Sequence, residues 1–345
     1  MKKIRTPFFK NILIATAIAG VFFSAGFLFG WQISPKKDTK QENSDISRQE
    51  RDMKSYKFIS PLLECDITGW NAQQKYIPFE KEIKEKINQT IIKNNPDVHV
   101  SLYFRNLNNG PWFWINEEEW FAPASLMKLP IAMSYMKWAE SDPSVLTKEL
   151  KINRETASVQ NYIPEEQLST WSTYSVLDLI SRALIYSDND ANRTLMDNIP
   201  ENILMWIFGD LWIPIVEELE KWVTDYISVK EYASFFRILY NASYLERSSS
   251  EKLLEVLSQS KFQNWLIKNL PSTVPVAHKF WEREFYSPEL GKNIFQLHDC
   301  GVVYYKQYPY LLCIMTKGAS DFKTLGKVIQ DISWIVFDTI HRLYP

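Results

Sequence analysis

Two hydrophobic periods are segregated along this chain: alternating stretches lie towards its two ends, and a long block of helical spacing lies between them. "FEKEIKEKINQTIIKNN" (79–95) repeats Ile83, Ile87 and Ile91 at helical spacing, and Asn95-Pro96 stops it. "VHVSLYFRNL" (98–107) then alternates, "NNG" turns the chain and "WFWI" (112–115) resumes, which is a hairpin pattern. From Pro123 to about Asn269 the segments "SLMKLPIAMSYMKW", "SVLDLISRALI", "ANRTLMDNI", "VKEYASFFRILYNA" and "SSEKLLEVLSQ" are helical in spacing. "TVPVAHKF", "FQLHDCGVVYY" and "YPYLLCIMT" read as three strands, and "DFKTLGKVIQDISWIVFDTIHRLY" closes the chain as an amphipathic helix. This order predicts an α/β fold of the α+β kind. Both ends of the chain build one five-stranded antiparallel sheet with flanking helices, and the middle is an inserted all-helical subdomain.

The N-terminus obeys different physics. Lys2, Lys3, Arg5 and Lys10 precede a charge-free run from Asn11 to Pro35, "NILIATAIAGVFFSAGFLFGWQISP". At ~1.5 Å per residue the run is long enough for a bilayer core of ~30 Å. Residues 1–35 are therefore expected to be a short cytoplasmic tip and a transmembrane signal anchor, with the body of the chain exported. Cleavage near Ser24-Ala25-Gly26 is the alternative. "KKDTKQENSDISRQERDMKSYK" (36–57) is polar and mixed in charge, so it reads as a solvated stalk. Phe58, Ile59, Leu62 and Leu63 are the first residues expected to pack, and one folded domain spans 58–345. Lys plus Arg total 39 against 41 for Asp plus Glu, so the net charge of -2 gives no electrostatic reason to expect a nucleic-acid partner.

Ser125 and Lys128 lie three apart at the start of a helix, after the apolar Phe121-Ala122-Pro123-Ala124. Free N–H groups at such a start stabilise an alkoxide or oxyanion, and a lysine one turn on serves as general base once burial and neighbouring cations disfavour its charge. Two further fragments accompany the pair: Ser187-Asp188-Asn189 in "YSDNDA", and Lys279 on the strand "VAHKFWE".

Ser-x-x-Lys, Ser-Asp-Asn and a lysine on a late strand, in this order within this element framework, resemble the serine β-lactamase and penicillin-binding protein superfamily, most closely class A β-lactamases. The resemblance covers the whole folded domain and implies a β-lactamase/transpeptidase-like fold and acyl transfer at Ser125. It implies that Lys128 is the general base, that Ser187 relays a proton to the leaving amine and that Asn189 holds the substrate amide. Lys279 would hold a substrate carboxylate, and the N–H of Glu282 would complete an oxyanion hole with that of Ser125. The implied substrates are β-lactams or the stem peptides of peptidoglycan. A D-alanyl-D-alanine peptidase and a catalytically idle member that binds cell-wall peptide or a partner protein are the alternatives.

The sequence also departs from that pattern. Where the family has Lys-Ser/Thr-Gly, this chain has Lys279-Phe280-Trp281, so a carboxylate-binding hydroxyl is missing and an indole replaces the glycine. Alternation of side chains along the strand is expected to keep Trp281 out of the cleft. The family's Glu-x-x-x-Asn loop, whose glutamate activates the deacylating water, has no match in "GDLWIPIVEELEKWVTDY". Glu217, Glu218 and Glu220 read there as the solvated face of a short helix. The aromatic-rich "PWFWINEEEWF" reads as strand packing and not as a carbohydrate platform. His298-Asp299 lacks a nearby serine and is expected to be structural.

Cys300 and Cys313 fall opposite each other in a strand-turn-strand reading centred on Lys306-Gln307, and Cys65 is left over. A cross-strand disulfide is geometrically demanding, so two buried thiols are the expectation. His99, His278, His298 and His341 accompany no cysteine at zinc-ligand spacing. No metal and no cofactor are expected.

Overall fold

A computed structural model describes residues 56–61, 77–108, 110–153, 168–210, 225–306 and 308–345. The anchor, nearly all of the stalk, Cys65, Leu62, Leu63 and the stretch holding Glu217, Glu218 and Glu220 lie outside the described residues. Among the described residues no helix is long and apolar enough to cross a membrane. The folded part begins as a strap: Phe58 and Ile59 are buried, and the Glu251 carboxylate accepts hydrogen bonds from the N–H groups of Lys57, Phe58 and Ile59.

The first helix, α1 (Glu80–Ile87), continues as a single π turn (Asn88–Ile92), which keeps Ile83, Ile87 and Ile91 on one buried face. β1 (Val98–Asn106) and β2 (Trp112–Ile115) form the expected hairpin, with Phe104 opposite Phe113. A short strand β3 (Trp120–Phe121) leads to a 3₁₀ turn (Ala124–Met127) and α2 (Lys128–Ala139). A two-stranded ribbon of β4 (Glu149–Lys151) and β5 (Thr173–Ser175) follows, then α3 (Val176–Ile185), α4 (Asn189–Asn198) and α5 (Glu201–Asp210). β6 (Ile227–Ser228) pairs with β3 and runs into α6 (Val229–Asn241) and α7 (Arg247–Ser258). Ser228 and Glu231 close a reciprocal capping box at the start of α6, which fixes where the ribbon becomes helix. The chain ends with β7 (Val276–Ser287), β8 (Lys292–Val303), β9 (Tyr310–Gly318) and α8 (Phe322–Leu343).

The five long strands form one antiparallel sheet in the order β2-β1-β9-β8-β7, so the two ends of the chain meet where β1 pairs with β9. The inserted block is helical as expected, with the two short ribbons added. Runs of two or three residues are too short for alternation to show. β7 and β8 reach further than their apolar cores predict, to a turn beyond Ser287, because cross-strand pairing carries the hairpin past the buried region.

Alternation splits the core in two. Leu102, Phe104, Leu312 and Ile314 face α1 and α8, where Leu325, Ile329, Ile332, Val336 and Ile340 repeat at helical spacing. Tyr103, Cys313 and Met315 face the helical block with Leu126, Leu129, Met133, Phe235 and Phe236. Each fully buried aliphatic side chain stabilises by about 1.5–3 kcal/mol, so the block is fixed to the sheet face. The expectation of free thiols is corrected: Cys300 and Cys313 sit directly opposite each other on β8 and β9 and are joined by a disulfide. The register is the one that spacing predicts; the bond between the two facing thiols is what differs from the expectation.

Candidate active site

The chain passes from β3 through Ala122-Pro123 into the 3₁₀ turn, where Ser125 is half-buried. Leu126 N donates to Pro123 O at 2.8 Å, and the buried Tyr232 hydroxyl donates to Leu126 O at 3.2 Å, so the turn is held from both sides. Lys128 is the first residue of α2. That helix is buried almost all round, and only 3% of the lysine is exposed.

Its partners come from the turn between α3 and α4. Ser187 holds φ +55°, a left-handed conformation that costs a non-glycine residue energy and persists only where its surroundings impose it. Asp188 imposes it by capping α4, with Oδ1 accepting from Asp190 N at 2.9 Å and Ala191 N at 3.0 Å. Arg182 Nε stands 3.7 Å from the other carboxylate oxygen. The turn then presents three acceptors to Lys128 Nζ: the Ser187 carbonyl, Ser187 Oγ at 3.1 Å and Asn189 Oδ1 at 2.7 Å.

Lys279, fully buried on β7, reaches the same hydroxyl: its Nζ donates to Ser187 Oγ at 2.9 Å and to Phe280 O at 3.0 Å. Ser187 Oγ thus accepts from the Nζ of both lysines, which leaves its own O–H as the group it can give away. Burial is the main force on both lysines. It drives Lys128 well below the ordinary lysine range, reinforced by the charge of Lys279 and partly offset by Asp188. It lowers Lys279 to about 7 against the attraction of Asp299.

The structure therefore brings Lys128, Ser187, Asn189 and Lys279 together, with Ser125 at the head of the turn that supplies Lys128. Glu282 is half-buried on the same strand as Lys279, three residues on and so on the opposite face. β7 is an edge strand, and its free side lies against the turn that carries Ser125.

The expectation for Trp281 is corrected in its reason. Its side chain shares a face with Lys279, two residues away, but is only 5% exposed and packs on the His298 ring at 4.7 Å. Burial in the core, and not alternation, is what takes the indole away from the partners of Lys279. Phe280 points the other way and stacks on Phe262 at 3.8 Å, so no side chain at that position replaces the missing hydroxyl. His298 and Asp299 do not act together: His298 lies between Phe121 and Trp281, and burial lowers it to about 3. Asp299 faces the opposite side and pairs with His278 Nδ1 at 2.8 Å, and both are fully buried. That His278–Asp299 pair is invisible to sequence reading, since its members meet only diagonally across β7 and β8.

A half-buried serine three residues ahead of a buried lysine, with that lysine and a strand lysine meeting on a Ser-Asp-Asn turn, is the motif set of a β-lactamase-like serine hydrolase. The chain belongs to the Beta-lactamase enzyme family, which its residues 81–340 match. A curated relative, β-lactamase OXY-1 of Klebsiella oxytoca, is 29% identical over 149 residues, 41% of this chain. The chain spans about half of that relative, 46% of its length. Among solved structures, PBP-A superposes with a TM-score of 0.63 at 20% identity, covering 76% of this chain and 97% of that one. A β-lactamase from Chitinophaga pinensis gives 0.62 at 16% identity, over 75% of this chain and 99% of that one. A variant of the last common ancestor of Gram-negative class A β-lactamases gives 0.63 at 18% identity, over 76% and 100%.

Proposed function

We propose that this chain is a membrane-anchored acyl-transfer enzyme of the class A β-lactamase type, and that Ser125 is acylated by β-lactams or by related amides of cell-wall peptides. The observation that carries this reading is the convergence of two buried lysines on one hydroxyl, Ser187 Oγ. In its neutral form Lys128 takes the Ser125 proton while Oγ adds to the substrate carbonyl. The N–H groups of Ser125 and Glu282 receive the negative charge that develops on the carbonyl oxygen. The C–N bond then breaks, Ser187 gives its proton to the leaving nitrogen, and the Lys128 ammonium restores it through the hydrogen bond already present. Asn189 orients the substrate amide. Lys279 supplies positive charge for the substrate carboxylate without the hydroxyl that Phe280 displaces.

The address rests on two supports. The basic N-terminus followed by the charge-free run 11–35 favours an anchor with an exported body. The Cys300–Cys313 disulfide suits an oxidising compartment. The test is to treat the full-length protein with a labelled penicillin and follow both the adduct mass and the release of product. An adduct on Ser125 that turns over is the expected outcome, and Ser125→Ala should abolish labelling while the protein stays folded. A lasting adduct would assign it to the D-alanyl-D-alanine peptidases instead. No adduct at all would make it an idle, binding member of the family.

A further inference from the structure

The proposed chemistry draws on two bodies: Lys128, Ser187 and Asn189 belong to the helical block, and Lys279 belongs to the sheet. Acyl transfer needs the Ser125 turn to be fixed against that sheet to within a fraction of an ångström. Gln296 lies at this seam. It is fully buried on β8, and both ends of its amide are engaged. Oε1 accepts from Ala122 N at 3.1 Å, and Nε2 donates to Asp225 Oδ1 at 2.8 Å. The partners fix the orientation of the amide, because a backbone N–H only donates and a carboxylate only accepts.

Ala122 stands three residues before Ser125, on the lead-in from β3, and Asp225 stands just before β6, the partner of β3. Tyr226 N closes the ribbon on Phe121 O at 3.0 Å. Lys317, opposite Gln296 on β9, donates to Asp225 Oδ2 at 3.2 Å and to Trp120 O at 3.0 Å. Both strands of the ribbon are thereby tied to the sheet, and Gln296 makes its tie at Ala122, three residues before Ser125.

We propose that Gln296 is a positioning residue for acyl transfer, whose carboxamide locks the lead-in to Ser125 onto the sheet that carries Lys279. The proposal rests on the acyl-transfer reading above. Among the described residues, the charged and titratable groups around Gln296 are Asp225, Arg283 opposite it on β7, Lys317 opposite it on β9, Glu119, which lies 2.6 Å from Lys317, and His99, which lies opposite Lys317 on β1 and 3.6 Å from Glu119. Gln296→Glu keeps the acceptor for Ala122 N but sets one carboxylate against another. That variant closes the lock only while a proton is shared between Glu and Asp225, and so only at lower pH.

The test uses the full-length protein in detergent and reads two signals: the rate of adduct formation with a labelled penicillin, and amide hydrogen exchange in segments 120–125 and 225–228. Gln296→Met, which removes both hydrogen bonds at similar size, should slow acylation roughly tenfold or more and speed exchange in both segments. Gln296→Glu should behave like Met at about pH 8 and regain the wild-type rate ratio towards about pH 5. If Met does not fold, the pH dependence of the Glu variant carries the test alone. Acylation at the wild-type rate in Met, or exchange unchanged in either segment, would overturn the lock. Absence of label on the wild type would overturn the acyl-transfer reading instead, and the exchange data would still decide whether Gln296 holds the ribbon.

Discussion

At the scale of single residues, burial withholds water from the charges of Lys128 and Lys279. Lys279 sits at about 7 in the folded protein, against 10.5 for a free lysine, because burial disfavours its ammonium form. Between those two values the unfolded chain binds the additional proton, so this group makes stability rise with pH from about 7 towards 10.5 and opposes folding below that window. Lys279→Met should therefore stabilise the protein most at neutral pH and below, with the advantage shrinking as pH rises through the window. Thermal melts of both proteins across pH would show it, and parallel curves would mean that the ammonium is not desolvated. The same titration has a functional side. A substrate carboxylate pairs with the charged form, so affinity for penicillins should fall as pH climbs through about 7, measured as the concentration giving half-maximal acylation rate. The motif letters made these residues legible, since Ser125, Lys128, Ser187 and Asn189 stand in a recognisable order. The acceptor pattern that gathers Lys128 and Lys279 on Ser187 and Asn189 was not, because it depends on the left-handed turn at Ser187 and on the Asp188 cap.

At the scale of elements, the β7–β8 pair carries the most consequence, since it holds Lys279, Trp281, Gln296 and the His278–Asp299 pair. Gly301 lies opposite His278, and a Cβ there would come within 2.6 Å of both Ala277 O and His278 Cβ. A backbone oxygen on a paired strand cannot yield as a flexible side chain would. Gly301→Ala is expected to cost about 1–3 kcal/mol and to push β7 away from β8 just beside Lys279. A lower denaturant midpoint at unchanged slope, together with slower acylation, would show this; an unchanged midpoint would mean that the strands separate freely. Helices and long strands were readable from their periods. The β3–β6 and β4–β5 ribbons were not, since two or three residues give no period and their pairing joins distant parts of the chain.

At the scale of the whole molecule, the two ends of the folded part build one sheet and the inserted block packs on one of its faces. With the run 11–35 as anchor, the full chain should stay in the membrane fraction with its folded body accessible to protease only from outside. A soluble product beginning near residue 26 would show a cleaved signal instead. Turnover is the other property at this scale. The sequence offers no match to the family's loop glutamate, and general-base assistance contributes ~10²- to 10⁴-fold, so β-lactam hydrolysis should show a burst near one equivalent and then slow release. Fast steady hydrolysis without a burst would reveal a base that the sequence does not announce. By itself the sequence determined the order of the helices and long strands, the motifs that single out Ser125 and Lys128 as candidates, and the departure at Phe280-Trp281, because periodicity and short motifs are local properties. Only the tertiary structure decided that Trp281 is buried on His298, that Asp299 serves His278 and that Gln296 ties Ala122 to Asp225. Each of these is a meeting of residues distant in sequence, set by strand register and by the face a side chain occupies, and a one-residue slip would undo all of them.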